Sequence, residues 1–291
     1  MSVALTCISG ALFALNTTVA RMVLDRTRIR TDVAAVATVA TAAGVALVIA
    51  AISGVRPSDL TWVDSRGFLL IGAMVPGVAQ LTLYAAVRMV GPSRTAAMLG
   101  TVPVWAVVLA IVFLDERWSV SIATGTLLTA VGGIFLAREK NLQGTASRMG
   151  LALAVLTAFQ FAVRDVLARS VTQDSNLNSL AAAAVILASG AIVLLVAAIG
   201  TAGPRAFIEN MLRSMPAMLL PGVAVGLAVP ALLAAFERSR VGVVSPLHNA
   251  SQSVAVVLLS GALIGGTEVN RRVVVALGFT LLGGTIIGVT R

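Results

Sequence analysis

The sequence holds one cysteine, Cys7, one histidine, His248, and one tyrosine, Tyr84. A lone cysteine rules out an internal disulfide and any thiolate metal cluster, and a lone histidine leaves no imidazole set to complete a zinc site. Charged residues make up only 11% of the chain and aromatic residues 4%. A soluble protein of 291 residues needs far more polar surface than that. The 21 basic residues outnumber the 12 acidic ones and give a net charge of +9. They stand singly or in small groups between apolar runs, with no basic face interleaved with aromatics, so they read as membrane-edge anchors and leave nucleic acid without a footprint. Catalytic signatures are missing too: there is no Ser/His/Asp set, HExxH, GxxxxGK[ST] or pair of mid-membrane carboxylates. The sequence therefore calls for no enzyme activity, no cofactor and no metal.

What fills the chain instead is apolar sequence, 58% hydrophobic residues with a mean hydropathy of +0.98. A bilayer core takes about 20 apolar residues per helix. Runs of that length predict an all-α integral membrane protein with ten transmembrane helices, at about 3–24, 33–53, 67–89, 94–114, 118–137, 150–171, 178–199, 215–236, 241–264 and 272–290. The first run has no basic leader and no cleavage site before a polar start, so it is expected as a retained helix. Short connections force neighbouring helices antiparallel.

The longest polar joint, Arg138 to Arg148, divides the chain into residues 1–140 and 141–291, five spans each. The halves repeat one another. Gly77–Val87 lies over Gly226–Phe236, Arg56-Pro57 over Gly203-Pro204, and Gly133 over Gly284. Five is odd, so the second half must enter the membrane from the opposite side. This predicts two inverted five-helix repeats with a site at the midplane between them. Thirteen of the 21 Lys and Arg residues fall on the odd-numbered joints, which leans towards both termini outside.

The stretch from Gly91 to Gly133 carries an apolar helix with Pro103, then Glu116 in a Leu-Asp-Glu-Arg-Trp context, then Gly125 and Gly133 on the next helix. A weaker version runs from Val241 to Gly284 with Glu268 in the matching place. This pattern resembles the signature half of the EamA family, in the drug/metabolite transporter superfamily of ten-helix carriers. The resemblance implies an inner-membrane exporter of amino acids or related small metabolites. It also implies polar residues beside aromatics in the first and sixth helices; Asn16 with Phe13 and Gln160 with Phe159 fit, although the family's common first-helix tryptophan is absent. The first helix lacks the acidic residue that couples protons in the related small multidrug resistance proteins, which argues against simple proton antiport of cationic drugs.

Polar groups inside a span are costly and mark function by default. Ser245, His248, Asn249 and Gln252 recur at i, i+3, i+4 and i+7 and share one helical face, which either lines a cavity or glues helices together. Gln80 and Tyr84 are one turn apart on the third span, where the second half has Val229 and Leu233. Trp105 lies too deep for an interface anchor. Arg164, one turn from Gln160, can take an anionic group; the plainer reading has it snorkelling while Asp165 pairs with Arg169. Pro76 and Pro230 are expected to interrupt their spans, as helices often do at carrier sites.

The candidate substrate-binding set is thus Asn16, Gln80, Tyr84, Trp105, Gln160, Arg164, His248, Asn249 and Gln252. Glu116 beside Arg117 and Glu268 near Arg271 read as gate or end-pairing residues. The small-residue faces Gly125-Thr129-Gly133 and Ala276-Thr280-Gly284-Gly288 read as scaffold or dimer surface. The implied partners are a small-molecule substrate, the lipid bilayer and a second copy of the chain as a homodimer. Rival readings are an importer or exchanger of organic anions or nucleotide-linked substrates, which would want several cavity cations where only Arg164 is present; a lipid-active membrane enzyme; and an assembly subunit without transport activity.

Overall fold

The structure, a computed structural model, describes residues 2–27, 29–90, 95, 98–117, 119–137 and 148–264, together with 275, 278, 279, 282, 283 and 286. Among these residues all regular structure is helical. The helices are α1 (Ser2–Arg26), α2 (Thr31–Ile52), α3 (Trp62–Gly72), α4 (Ala79–Val90), α5 (Val102–Leu114), α6 (Val120–Ala137), α7 (Arg148–Asp174), α8 (Ser179–Ala202), α9 (Pro204–Arg238) and α10 (Val241–Ile264). Seven helical stretches are long and apolar enough to cross a membrane, Trp62–Leu83 being one of them, while α5 and α6 supply shorter apolar helices. Helix is the form such a sequence must take in hydrocarbon, because every backbone amide and carbonyl then finds its partner within the segment. The chain is a multi-pass membrane protein. Most of the expected tenth span, including Ala276, Thr280, Gly284 and Gly288, together with Trp118, Glu268, Arg271, Arg272 and the joint at 138–147, lies outside the described residues.

The two expected proline interruptions part company. Ahead of Pro76 the third span leaves regular helix: Ala73–Val78 forms a π-helical stretch, and Val75 sits at φ −139°, ψ 113°. Proline forces this by lacking an amide and crowding the residue before it. Pro230 does not break its span. The 35-residue helix α9 runs through Pro216, Pro221 and Pro230. Pro230 is buried, and packing by its neighbours carries the helix through it. That helix also begins well before the expected residue 215. Gly203 turns the chain at φ 75° and Pro204 starts the helix at a position where its missing amide costs nothing.

The packing interleaves the two halves of the sequence. Helix α9 lies along α1 and α2, α8 along α2 and α3, α7 along α4 and α5, and α10 along α1, α5 and α6. The core is rich in alanine, with Ala158, Ala162, Ala182, Ala183 and Ala235 close to fully buried around Phe68, Ile71 and Phe236. Small residues suit this setting, since lipid gives no hydrophobic drive between helices and close backbone approach must supply the contact. The Gly125–Thr129 face of α6 is covered from within the chain. A Cβ at Gly283 would stand 2.5 Å from the Gly125 carbonyl and from Thr129 Oγ1, so this face is scaffold.

Among the described glycines the tightest approach to another helix's backbone is at Gly72, where an added Cβ would stand 2.1 Å from the Ile186 carbonyl oxygen of α8. Gly72→Ala should destabilise by about 1–3 kcal/mol, because backbone must move to admit the methyl. Gly44→Ala, with open space around it, should instead be neutral or stabilising by about 0.5–1 kcal/mol. Thermal melting of the two purified variants checks both signs.

Candidate functional site

The site is built on α10 where α1 crosses it. At Gly10 a Cβ would meet Ser251 Oγ at 2.0 Å and the His248 carbonyl at 2.8 Å, so the two helices touch through backbone. That closeness lets Phe13, one turn along α1, set its ring edge against His248, with centroids 5.3 Å apart at 86°. His248 is 5% exposed, and its Nδ1 has no hydrogen-bond partner among the described residues. Ser245, on the same face and fully buried, leaves Oγ unpartnered as well. Such groups are costly unless something else meets them. Thr18, Thr41, Ser65 and Thr126 leave buried hydroxyls unpartnered elsewhere among the described residues, but only His248 and Ser245 share one helical face. The rest of the stripe is less exceptional: Asn249 Nδ2 donates to the Ser245 carbonyl of its own helix at 2.9 Å, and Gln252 is half-buried.

Helix α7 brings charge to the same region. Asp165 is 1% exposed, and Arg164 donates to its Oδ1 from Nη2 at 2.6 Å and from Nε at 3.0 Å. The Arg164 guanidinium also lies 5.3 Å from the centre of the Phe161 ring, a cation–π arrangement. Helix α7 also packs against α10, the helix that carries His248. The expected Asp165–Arg169 pair does not form. Arg169 Nη1 donates instead to the backbone carbonyls of Phe236 and Glu237 at the end of α9. The flexible Arg164 side chain can fold back onto the next residue, whereas Arg169 meets stronger competition from a helix end rich in unpaired carbonyls.

A second polar cluster lies where α4 and α5 meet α7. Thr82 Oγ1 donates to Gln160 Oε1 at 2.9 Å and lies at hydrogen-bond distance, 2.9 Å, from Thr157 Oγ1, where either hydroxyl can be the donor. Trp105 packs edge-on against Phe159, with centroids 5.8 Å apart. Gln80 and Asn16 are half-buried on α4 and α1. The Tyr84 side chain lies outside the described residues. Helix α7 thus serves both clusters through Thr157, Gln160, Phe161 and Arg164, which recur at one-turn spacing on a single face. Thr157 and Phe161 could have been found from that spacing. Thr82 could not, because a threonine that also donates to its own helix, here to Ala79 at 3.0 Å, looks ordinary in sequence.

At one end of the bundle is a cleft of about 250 Å³ lined by Leu114, Asp115, Glu116, Arg117, Arg169, Gln173 and Arg240. Asp115 ends α5 in the left-handed conformation at φ 51°, which turns the chain and aims Glu116 at the start of α10. There the Glu116 carboxylate accepts from the amides of Val241 at 2.7 Å and Gly242 at 3.1 Å. Its partner is therefore a helix N-terminus 125 residues away, and Arg117 only lines the same cleft.

Residues 1–138 match the profile of the EamA-like transporter family. A solved structure described only as a crystal structure of a protein superposes with a TM-score of 0.76 across 99% of both chains, at 18% sequence identity, a likeness of fold alone. No curated protein sequence matches.

Proposed function

We propose that this chain, whose residues 1–138 match the EamA-like transporter family, is an inner-membrane exporter of amino acids or related small metabolites. It works by alternating access between two inverted five-helix halves, residues 1–140 and 141–291. The helix contacts support the two-fold relation. Exchanging the first span with the sixth, the second with the seventh and so on turns the α1–α9 contact into α7–α4, α1–α10 into α7–α5, and α2–α9 into α8–α3; all six are present. The α2–α8 and α5–α10 contacts exchange into themselves.

The observation that carries the reading is the pair of unpartnered buried atoms, His248 Nδ1 and Ser245 Oγ, beside the Arg164–Asp165 ion pair inside the membrane span. Ionisable groups at that depth face a pathway or each other. Both charge signs and neutral hydrogen-bonding groups together suit a small solute that carries both signs itself. Carriers of organic anions or nucleotide-linked substrates fit less well, since Arg164 already has its charge balanced by Asp165. Export of radiolabelled amino acids from proteoliposomes tests the reading. Counterflow of at least one amino acid above that of empty vesicles is expected; no flux across a panel of amino acids and small metabolites would favour the assembly-subunit alternative.

A further inference from the structure

We propose that Glu116 and Asp64 are latches that hold the two halves of the chain together at one end of the bundle. The purpose of such latches rests on the transport reading; their test does not. At this end the corner between α9 and α10 is gripped from both sides. The Glu116 carboxylate takes the amides of Val241 and Gly242, at the positive end of α10. The Arg169 guanidinium takes the carbonyls of Phe236 and Glu237, at the negative end of α9. Each charge meets the helix end of opposite sign, and neither belongs to the helix that it caps. A second contact lies at the same end. Asp64 Oδ1, at the start of α3, accepts from Asn176 N at 3.0 Å and Nδ2 at 3.2 Å, and the Asp64 carbonyl accepts from Ser175 Oγ at 3.2 Å.

Glu116 and Asp64 both precede the 138–147 joint, whereas Val241, Gly242, Ser175 and Asn176 follow it; the other oxygen of Asp64 accepts from Thr61 Oγ1 in its own half. Contacts of this kind, at one end and between the two halves of the chain, must break before that end can part. The chemistry favours a latch over a permanent weld. Once released, Glu116 still has Arg117, Arg169 and Arg240 around the cleft. The first amides of α10, at the end of a span, can turn to water. Neither side is stranded in hydrocarbon when the contact opens, which keeps opening within reach of a substrate's binding energy.

The test reads accessibility rather than transport. In a Cys7→Ser background, Val244→Cys places a thiol one turn inside the Glu116 cap at a position 1% exposed, and Ala158→Cys places one in the core at 0%. Each is combined with Glu116→Ala or Asp64→Ala, and labelling by a hydrophilic maleimide is timed in lipid nanodiscs. Both alanine variants should label Val244→Cys about tenfold faster, the equilibrium equivalent of one lost charge-assisted hydrogen bond, while Ala158→Cys stays protected. Unchanged labelling of Val244→Cys in both variants overturns the proposal. So does labelling of Ala158→Cys that rises in step, which would make these residues props of the fold. A wild-type protein without flux would remove the transport reading and leave this difference intact.

Discussion

Asp165→Ala should be the most damaging single polar substitution among the described residues, lowering stability by about 3–5 kcal/mol, because it strands the Arg164 guanidinium inside a membrane span. Arg164 has only 18% of its side chain exposed and Asp165 2%, so water does little to replace the lost carboxylate. Phe161 at 5.3 Å gives partial relief at best. Removing both charges tells a different story. Arg164→Met with Asp165→Leu should recover most of the loss, since neither desolvation cost then remains and the two positions couple directly. Melting curves of the two single variants and the double variant form the cycle. A single Asp165→Ala variant that melts like the wild type would show that the pair is solvated and contributes little. If the pair serves transport, the double variant will be stable and still fail in counterflow.

The second large effect separates function from stability at one residue. His248→Leu should cut flux by at least about tenfold while leaving the melting temperature unchanged or higher. The stability half follows from the unpartnered Nδ1 of a ring that is 5% exposed. Exchanging an unsatisfied buried polar group for an apolar one of similar volume is neutral or favourable. The flux half follows from the proposed site, where one ring nitrogen without a partner is kept at the expense of stability. Lost flux with normal melting supports a substrate-contacting His248. Full flux would move the site to the cluster of Thr82, Thr157 and Gln160. A sharp fall in melting temperature would make the contact of His248 with Phe13 a structural prop.

The seven long apolar spans among the described residues were legible because they are local. A run of about 20 apolar residues satisfies the bilayer thickness, and helix satisfies its backbone, without reference to any other segment. The shared face of Ser245, His248, Asn249 and Gln252 was legible for the same reason, being a matter of helical spacing. The break at Pro76 also followed from the residue itself. Pro230 shows where local reading stops: proline removes the same amide in both spans, and only the neighbours packed on α9 decide that this helix continues. Likewise nothing around Glu116 marks Val241 and Gly242 as its partners, and nothing around Arg169 marks the carbonyls of Phe236 and Glu237.

The sequence by itself therefore determined that the protein is helical, that it spans the membrane many times, and which polar residues interrupt its apolar runs. Tertiary structure alone decided which of them meet. It chose Arg164 over Arg169 for Asp165, set Phe13 against His248 through the gap left by Gly10, and joined Gln160 to Thr82 from 78 positions away. The reason is physical: bilayer thickness and backbone hydrogen bonding act on each segment separately. The pairing of polar groups depends on how small residues let whole helices approach, and that is a property of the packed bundle.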